Sequence, residues 1–262
     1  VCECASALGM LLGFASSAYF DGARNATRLG LMLRLHSESG EPLGGVWTAI
    51  SCGALLGVAD ANSRNGRIVP ELALLDSSLP QIETLILDSN STARGGIEAY
   101  RTGILWGAAA FVGPAKSATS QPVASLASID EIPVVSFWAS APNLAKNNFY
   151  SYFSRVYPSD SLPALAIVQW AIDSGWRHMS ILTVSGDVAR LDFRLAVEAA
   201  CAQLGAHVHT VASFDSDDAE GARAAVRKLA GGMAMGGGET MQPSNVILLL
   251  CFDDHLDPII TE

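Results

Sequence analysis

Short apolar runs alternate with helix-like segments along most of the chain. Seven runs have the length and apolar content of buried strands, at 29–35, 84–89, 108–113, 133–137, 179–184, 206–214 and 245–252. Six segments between them have a helical pattern, at 46–62, 93–102, 117–129, 162–172, 190–204 and 219–229. Strands separated by helices are typical of parallel sheets covered by helices, so the sequence predicts the α/β class.

The alternation starts afresh in the stretch RVYPSDSLPALAIVQWAIDSGWRHMSILTV, residues 155–184. Pro158 ends an extended segment there, the polar box 159–161 opens an apolar helix, and Gly175 ends that helix before the next strand. The restart predicts two α/β lobes rather than one. The predicted division is a leader or disordered segment at 1–26, lobe 1 at 27–149, a crossover at 150–158 and lobe 2 at 159–262.

The first residues resemble a targeting segment. The stretch ALGMLLGFASSA, 7–18, has the apolar core and small-residue end of a signal peptide, although no basic residues precede it. At roughly a dozen residues it is too short to span a bilayer. Two N-glycosylation sequons begin at Asn25 and Asn90, and such sequons are modified only in a secretory compartment. Both features are consistent with an extracellular location.

Composition argues against several classes of partner and cofactor. Half of the residues are apolar and 16% are charged, which is enough to bury a large core. The net charge of −10 argues against nucleic acid or an anionic membrane as a partner, although an acidic surface also simply keeps a protein soluble. The five cysteines include no CxxC pair, so we expect no zinc site, and Cys201 and Cys251 are expected in the core.

A nucleotide- or sugar-using α/β enzyme of the Rossmann type is a less favoured alternative. The chain has no GxGxxG after its first strand, no GxxxxGK[ST] and no GxSxG. His207 and His209 share one face of a predicted strand and are expected to face solvent rather than a metal. Asp253 and Asp254 end the last predicted strand and are expected to be solvated or to line a cleft rather than to coordinate a cation. We therefore expect no enzyme activity, no cofactor and no metal.

Four motifs around the restart point to a family. Gly113-Pro114 precede a Ser-containing turn, Ile132-Pro133 precede a strand, YFSRVYPSD leads into the new helix, and Gly175-Trp176 follow it. Together they resemble the ligand-binding region of receptors with a type I periplasmic-binding-protein fold. Such receptors include class C G-protein-coupled receptors of the metabotropic glutamate type and natriuretic-peptide receptor guanylate cyclases. The likeness covers most of the chain and is closest over 111–184.

The resemblance implies a two-lobed fold whose second lobe is incomplete in this chain. It further implies the extracellular domain of a membrane receptor. Such a domain binds a small molecule, amino-acid-like or anionic, in the cleft between the lobes and signals by lobe closure. A homodimer through lobe 1 is one option, and membrane contact would come only from segments outside this chain. The alternative with the same fold is a periplasmic solute-binding protein of an amino-acid-type ABC transporter.

The ends of the predicted strands locate a candidate site, because open parallel sheets bind ligands beyond the carboxyl ends of their strands. In lobe 1 those ends lead into the turn 113–117 and into 138–140. The turn 113–117 feeds a helix whose first N–H groups and positive dipole end suit a carboxylate. Gly113 allows a close approach of the backbone, and Ser117 adds a hydroxyl that either contacts the ligand or only caps the helix.

The resemblance assigns roles to individual side chains. In amino-acid-binding members, a Ser at the position of Ser117 and a Ser or Thr at the position of Ser140 hold the carboxylate and amino groups of the ligand. Trp138 lies beside them and either covers an apolar or cationic ligand or simply packs. The predicted ligand-binding residues are Gly113, Ser117, Trp138, Ser140, Ser185 and Asp187.

Lobe 2 departs from the family pattern. Its contribution would come from the loop between Ser185 and Asp187, where Asp187 meets a ligand amine or only forms a turn. Val188-Ala189 stand where amino-acid receptors of this kind carry a Tyr-Gly pair, so the aromatic wall of those receptors is missing from lobe 2.

Overall fold

The computed structural model describes residues 26–36, 41–145, 148–185, 188–215, 218–230 and 246–251, and at 188–190 and 230 it describes the backbone alone. The strands are β1 Ala26–Leu33, β2 Gln81–Asp88, β3 Ala110–Val112, β4 Val134–Ser136, β5 Phe153–Arg155, β6 His178–Val184, β7 His207–Phe214 and β8 Val246–Leu250. The α-helices are α1 Val46–Ser63, α2 Ala93–Trp106, α3 Ser117–Asp130, α4 Ser161–Asp173, α5 Val188–Leu204 and α6 Ala219–Ala230. Short 3-10 helices lie at Pro70–Leu74 and Pro142–Ala145.

The described residues divide into two compact units. The first unit consists of the described residues up to Ala139 together with those in the range 146–157. The second unit consists of Ser140–Ala145 and the described residues from Pro158 onward. Neither unit is therefore a single continuous stretch of the chain.

The first unit contains a five-stranded sheet in the order β2-β1-β3-β4-β5, and all of its neighbouring strands are parallel. The second contains a three-stranded sheet in the order β7-β6-β8, also parallel. Helices connect and cover the strands of both sheets. The predicted α/β class with parallel sheets flanked by helices is confirmed.

The core of the first unit centres on the ring of Phe111, which is fully buried and lies 4.9 Å from the ring of Tyr100, centroid to centroid. A Cβ on Gly103 would lie 2.3 Å from this ring, so helix α2 can approach β3 only with a glycine there. The helix was predicted to end at 102, but it continues to Trp106 and ends at Gly107, whose φ of 88° closes it. Gly103 thus serves packing and not helix termination.

Strand β6 carries the core of the second unit on both of its faces. Met179 and Ile181 pack with α4 and α5 residues such as Val168, while Leu182 and Val184 pack toward α6. A strand covered by helices on both faces has a continuous run of apolar residues, and this is why the sequence MSILTV predicts a buried strand. Cys201 is buried in this core, as predicted, and burial raises the pKa of its thiol. Among the helices that the structure describes, none is long and apolar enough to cross a membrane.

Candidate functional site

The carbonyl of Pro114 ties together the two turns that follow β3 and β4. It accepts hydrogen bonds from the Ser136 hydroxyl, at 2.6 Å, and from the Ser120 hydroxyl, at 3.2 Å. Ser136 Oγ in turn accepts from the backbone N–H of Ala139, at 3.0 Å. Both serines are fully buried. These bonds fix the backbone of both turns at the carboxyl edge of the first sheet, where the candidate site was predicted.

Gly113 lies where β3 turns into the loop before α3, with a φ of 97° and a cis peptide bond to Pro114. Its N–H donates to the carbonyl of Val135, at 2.8 Å, and so belongs to the sheet. A Cβ at Gly113 would lie 2.1 Å from the carbonyl oxygen of Met32. The absence of a side chain at Gly113 therefore lets the turn approach strand β1 closely. This close approach allows the turn to pack tightly against the sheet.

Ser117 is the first residue of α3 and is buried, while the exposed Lys116 occupies the N-cap position. The interpretation of Ser117 as the cap residue is wrong, because the cap precedes it by one residue. The backbone N–H groups of Thr119 and Ser120 donate to the carbonyl of Lys116, at 3.1 and 2.9 Å. A cationic side chain thus accompanies the positive end of the helix dipole, and both favour an anion at this turn.

Trp138 belongs to an aromatic cluster in the first unit. Its ring centroid lies 5.6 Å from that of Trp47, at the start of α1. The guanidinium carbon of Arg34, which follows β1, lies 5.1 Å from the centroid of Trp47. Trp138 nevertheless stays 40% exposed. Trp138 was predicted from the sequence as a candidate site residue. Its contacts Trp47 and Arg34 were not predicted, because both are distant from it along the chain.

Ser140 lies in the second unit, where it is bound to Asp160 at the N-terminus of α4. The Ser140 hydroxyl donates to Asp160 Oδ2, at 2.9 Å, and the Asp160 N–H donates to the Ser140 carbonyl, also at 2.9 Å. Asp192 on α5 adds a second carboxylate, whose Oδ2 atom is buried without a hydrogen-bond partner. Burial, and secondly the charge of Asp160, raise the pKa of Asp192. This arrangement of carboxylates favours a cationic group.

Sequence reasoning missed Asp160 and Asp192. Asp160 was assigned only to the polar box that opens a helix, and its side chain makes no capping bond in the structure. Asp192 is one acidic residue within a helical pattern, so only the folded arrangement relates it to Asp160. Ser185 is exposed, and its N–H donates to the Phe214 carbonyl at 2.8 Å. Asp187 lies outside the described residues.

Three histidines gather at the amino ends of β6 and β7 in the second unit. His178 Nδ1 and His209 Nε2 lie 2.7 Å apart, and the His207 ring stacks on that of His178. A register shift between Met179 and Ser180 brings His209 beside His178, and this could not be read from the sequence. Over the described part of the chain, no group of three or more His, Cys, Asp or Glu side chains is placed to hold a metal ion. Asp253 and Asp254 lie outside that part.

Comparison with known proteins gives a family match. The family model described as "Receptor family ligand binding region" matches residues 75–259. Metabotropic glutamate receptor 8 of Homo sapiens is 38% identical over 76 residues, which are 29% of this chain and 8% of that receptor. Metabotropic glutamate receptor 6 of Rattus norvegicus is 34% identical over 93 residues, 36% of this chain and 11% of that receptor. The matched segment therefore spans only a small part of these relatives.

Ser136→Ala is expected to lower the free energy of unfolding by about 1–3 kcal/mol, because it leaves the buried Ala139 N–H without an acceptor and takes one donor from Pro114. Ser125→Ala is the matched control, since Ser125 also donates to a backbone carbonyl, at 3.1 Å, but on an exposed helix surface. Urea denaturation of the full chain measures both variants. Equal effects of the two substitutions would contradict the structural role of Ser136.

Asp192→Asn is expected to stabilise the ligand-free chain near neutral pH. Because the pKa of Asp192 is raised above its ordinary value of 3.8, the folded state binds more protons than the unfolded state between the two values. Stability therefore falls as pH rises through this window, and the loss persists above it. Urea denaturation from acid to neutral pH should show the variant gaining most at neutral pH and nothing below the ordinary Asp value. A gain that is independent of pH would refute the assignment.

Proposed function

Because the chain belongs to the family of receptor ligand-binding regions, we propose that it is the extracellular ligand-binding part of a class C-type membrane receptor. In this proposal a small zwitterionic ligand of the amino-acid type binds in the cleft of a two-lobed domain, and lobe closure is the signal. The observation that carries the proposal is the family match over residues 75–259, which includes the strand-end turns at Pro114 and Trp138.

The carboxylate of the ligand is assigned to the turn before α3. Lys116 contributes positive charge there, and the first turn of a 14-residue helix contributes its dipole and backbone donors. Ser117 contributes a hydroxyl at the first helical position. Because Ser136 and Ser120 hold this turn rigidly through Pro114, the donors are positioned before the ligand arrives, which limits the entropy lost on binding.

The ammonium group of the ligand is assigned to Asp160 in the second unit. Asp160 already accepts a hydrogen bond from Ser140, and a carboxylate can accept further donors on its remaining lone pairs. The buried, unpartnered oxygen of Asp192 adds to the demand for a cation. An ammonium group would relieve the repulsion between the two carboxylates, so ligand binding should lower the pKa of Asp192.

A binding role is proposed rather than catalysis. The relatives described above are metabotropic glutamate receptors, and this favours a receptor over a transporter's solute-binding protein.

A homodimer through the first unit is part of the proposal. Leu105 at the end of α2 is 85% exposed, and Ile129 at the end of α3 is 76% exposed. These two helices pack against each other, and together they offer apolar side chains to a partner.

Sedimentation velocity should show dimers of the full chain that Leu105→Glu combined with Ile129→Glu converts to monomers. A parent chain that is monomeric at all accessible concentrations would remove this part of the proposal.

Asp160→Asn is expected to weaken the binding of an amino acid at least tenfold, because it removes the charge that faces the ammonium group and charge-assisted hydrogen bonds contribute about 1.5–3 kcal/mol. Asp173→Asn is the control, since Asp173 is an exposed residue on the same helix and its carboxylate accepts a hydrogen bond from Gln169. Thermal-shift screening of the twenty amino acids identifies the ligand, and calorimetric titration measures the affinities.

Ser117→Ala tests the other end of the ligand in the same titration, with Ser125→Ala as the control on the same helix. We expect Ser117→Ala to weaken binding severalfold and Ser125→Ala to leave it unchanged. If Asp160→Asn and Ser117→Ala both bind as tightly as the parent chain, the ligand lies elsewhere. If no amino acid binds the parent chain, the amino-acid class of ligand is wrong.

A further inference from the structure

Trp138 presents an exposed aromatic face at the carboxyl edge of the first sheet. Its indole is 40% exposed, although it is the largest side chain in the loop that follows β4. The neighbouring Ala139 is fully buried, and its N–H is held by the Ser136 hydroxyl. The backbone that carries Trp138 is therefore fixed, and the exposure of the ring does not come from a loosely attached loop.

The side chain of Trp138 is supported from behind as well. It stacks on Trp47, with 5.6 Å between ring centroids and 35° between planes. Trp47 in turn lies beneath the guanidinium of Arg34, 5.1 Å from its carbon. Stacking of this kind adds about 0.5–1.5 kcal/mol per aromatic pair and restricts both rings. The result is a rigid aromatic surface that meets solvent beside the turn at Pro114.

Charge selects among the groups that an exposed indole face attracts. A cation is one such group, but the cluster already contains the Arg34 guanidinium, whose Nε atom is buried without a hydrogen-bond partner. A second cation at Trp138 would be repelled by this positive charge. A neutral aromatic group gains from stacking and area burial without that repulsion.

The cavity next to the cluster does not accommodate such a group. It lies between Arg34, His36, Trp47 and Ser51 and has a volume of about 40 Å³, which is room for water but not for a ring. An aromatic group would therefore bind on the outer face of Trp138 and not inside the unit.

We propose that Trp138 is a specificity-determining residue that selects ligands with an aromatic side chain. This inference rests on the proposed function, since it places the side chain of an amino-acid ligand on Trp138 while the carboxylate lies at the start of α3. The side chain of an amino acid such as phenylalanine is planar and apolar, which is what the supported indole can recognise.

Calorimetric titration of the full chain with L-phenylalanine and with L-alanine tests the proposal. The parent chain should bind L-phenylalanine at least tenfold more tightly than L-alanine. Trp138→Ala should lose about tenfold in affinity for L-phenylalanine and keep its affinity for L-alanine, whereas Trp138→Phe should stay within about threefold of the parent for both.

Trp170→Ala is the matched control. Trp170 is also a solvent-exposed tryptophan, at 60%, and it also contacts a second tryptophan, Trp176, at 5.4 Å between centroids. Its removal should leave both affinities unchanged. If Trp138→Ala does not fold, Trp138→Leu replaces it, because leucine fills similar space but cannot stack; tight L-phenylalanine binding by Trp138→Phe and weak binding by Trp138→Leu would then support the proposal.

The outcomes separate this proposal from the function beneath it. If the parent chain binds both amino acids equally and Trp138→Ala changes neither affinity, the selective role of Trp138 is overturned while the amino-acid site stands. If Trp138→Ala weakens both ligands equally, Trp138 supports the site without selecting the side chain, and the proposal also fails. If the parent chain binds no amino acid, the proposed function is wrong, and the selective role of Trp138 is then wrong as well.

Discussion

The hydrogen bonds to the Pro114 carbonyl are the constraint on which the rest of the candidate site depends. A single oxygen joins the loop after β3, the loop after β4 and the first turn of α3, because the hydroxyls of Ser136 and Ser120 both point at it. Hydroxyl donors in a dry interior are costly to leave unpaired, so the arrangement resists change. The consequence is that three pieces of backbone at one edge of the sheet behave as one rigid support for the side chains they carry.

That support places chemically different groups within one short edge of the first unit. The helix start with Lys116 offers positive charge, and Trp138 offers an apolar face. In the second unit, Asp160 and Asp192 offer negative charge, and the pKa of Asp192 is raised first by burial and secondly by the charge of Asp160. Perturbed pKa values cluster at functional sites, and this is why Asp192 is included in the proposed site.

Much of the fold could be predicted because its elements are signalled locally. MSILTV is apolar throughout since β6 is covered on both faces, and Gly175 and Gly205 end helices with positive φ values of 86° and 73°. The resemblance found in four motifs is confirmed by the family match. The predicted ligand contacts of Gly113, Ser117, Trp138, Ser140, Ser185 and Asp187 stay predictions.

What could not be predicted depends on contacts between distant parts of the chain. Trp47 and Trp138 meet only because α1 starts beside the end of β4, and neither sequence neighbourhood signals this. The same holds for Asp192 and Asp160. The position of Ser117 just inside α3, rather than at its cap, depends on one residue of helix register, which a sequence pattern does not resolve.

Because the first unit is made of two separate stretches of the chain, its sheet can be completed only late during synthesis. Strand β5, Phe153–Arg155, is the last strand of that unit's sheet and pairs with β4, yet Ser140–Ala145 between them belong to the second unit. On the ribosome, β1 to β4 emerge first and leave the open edge of β4 exposed until Arg155 has cleared the exit tunnel. Synthesis at about 5–20 residues per second makes this delay seconds long, during which an unpaired parallel edge is available to chaperones or to misassembly.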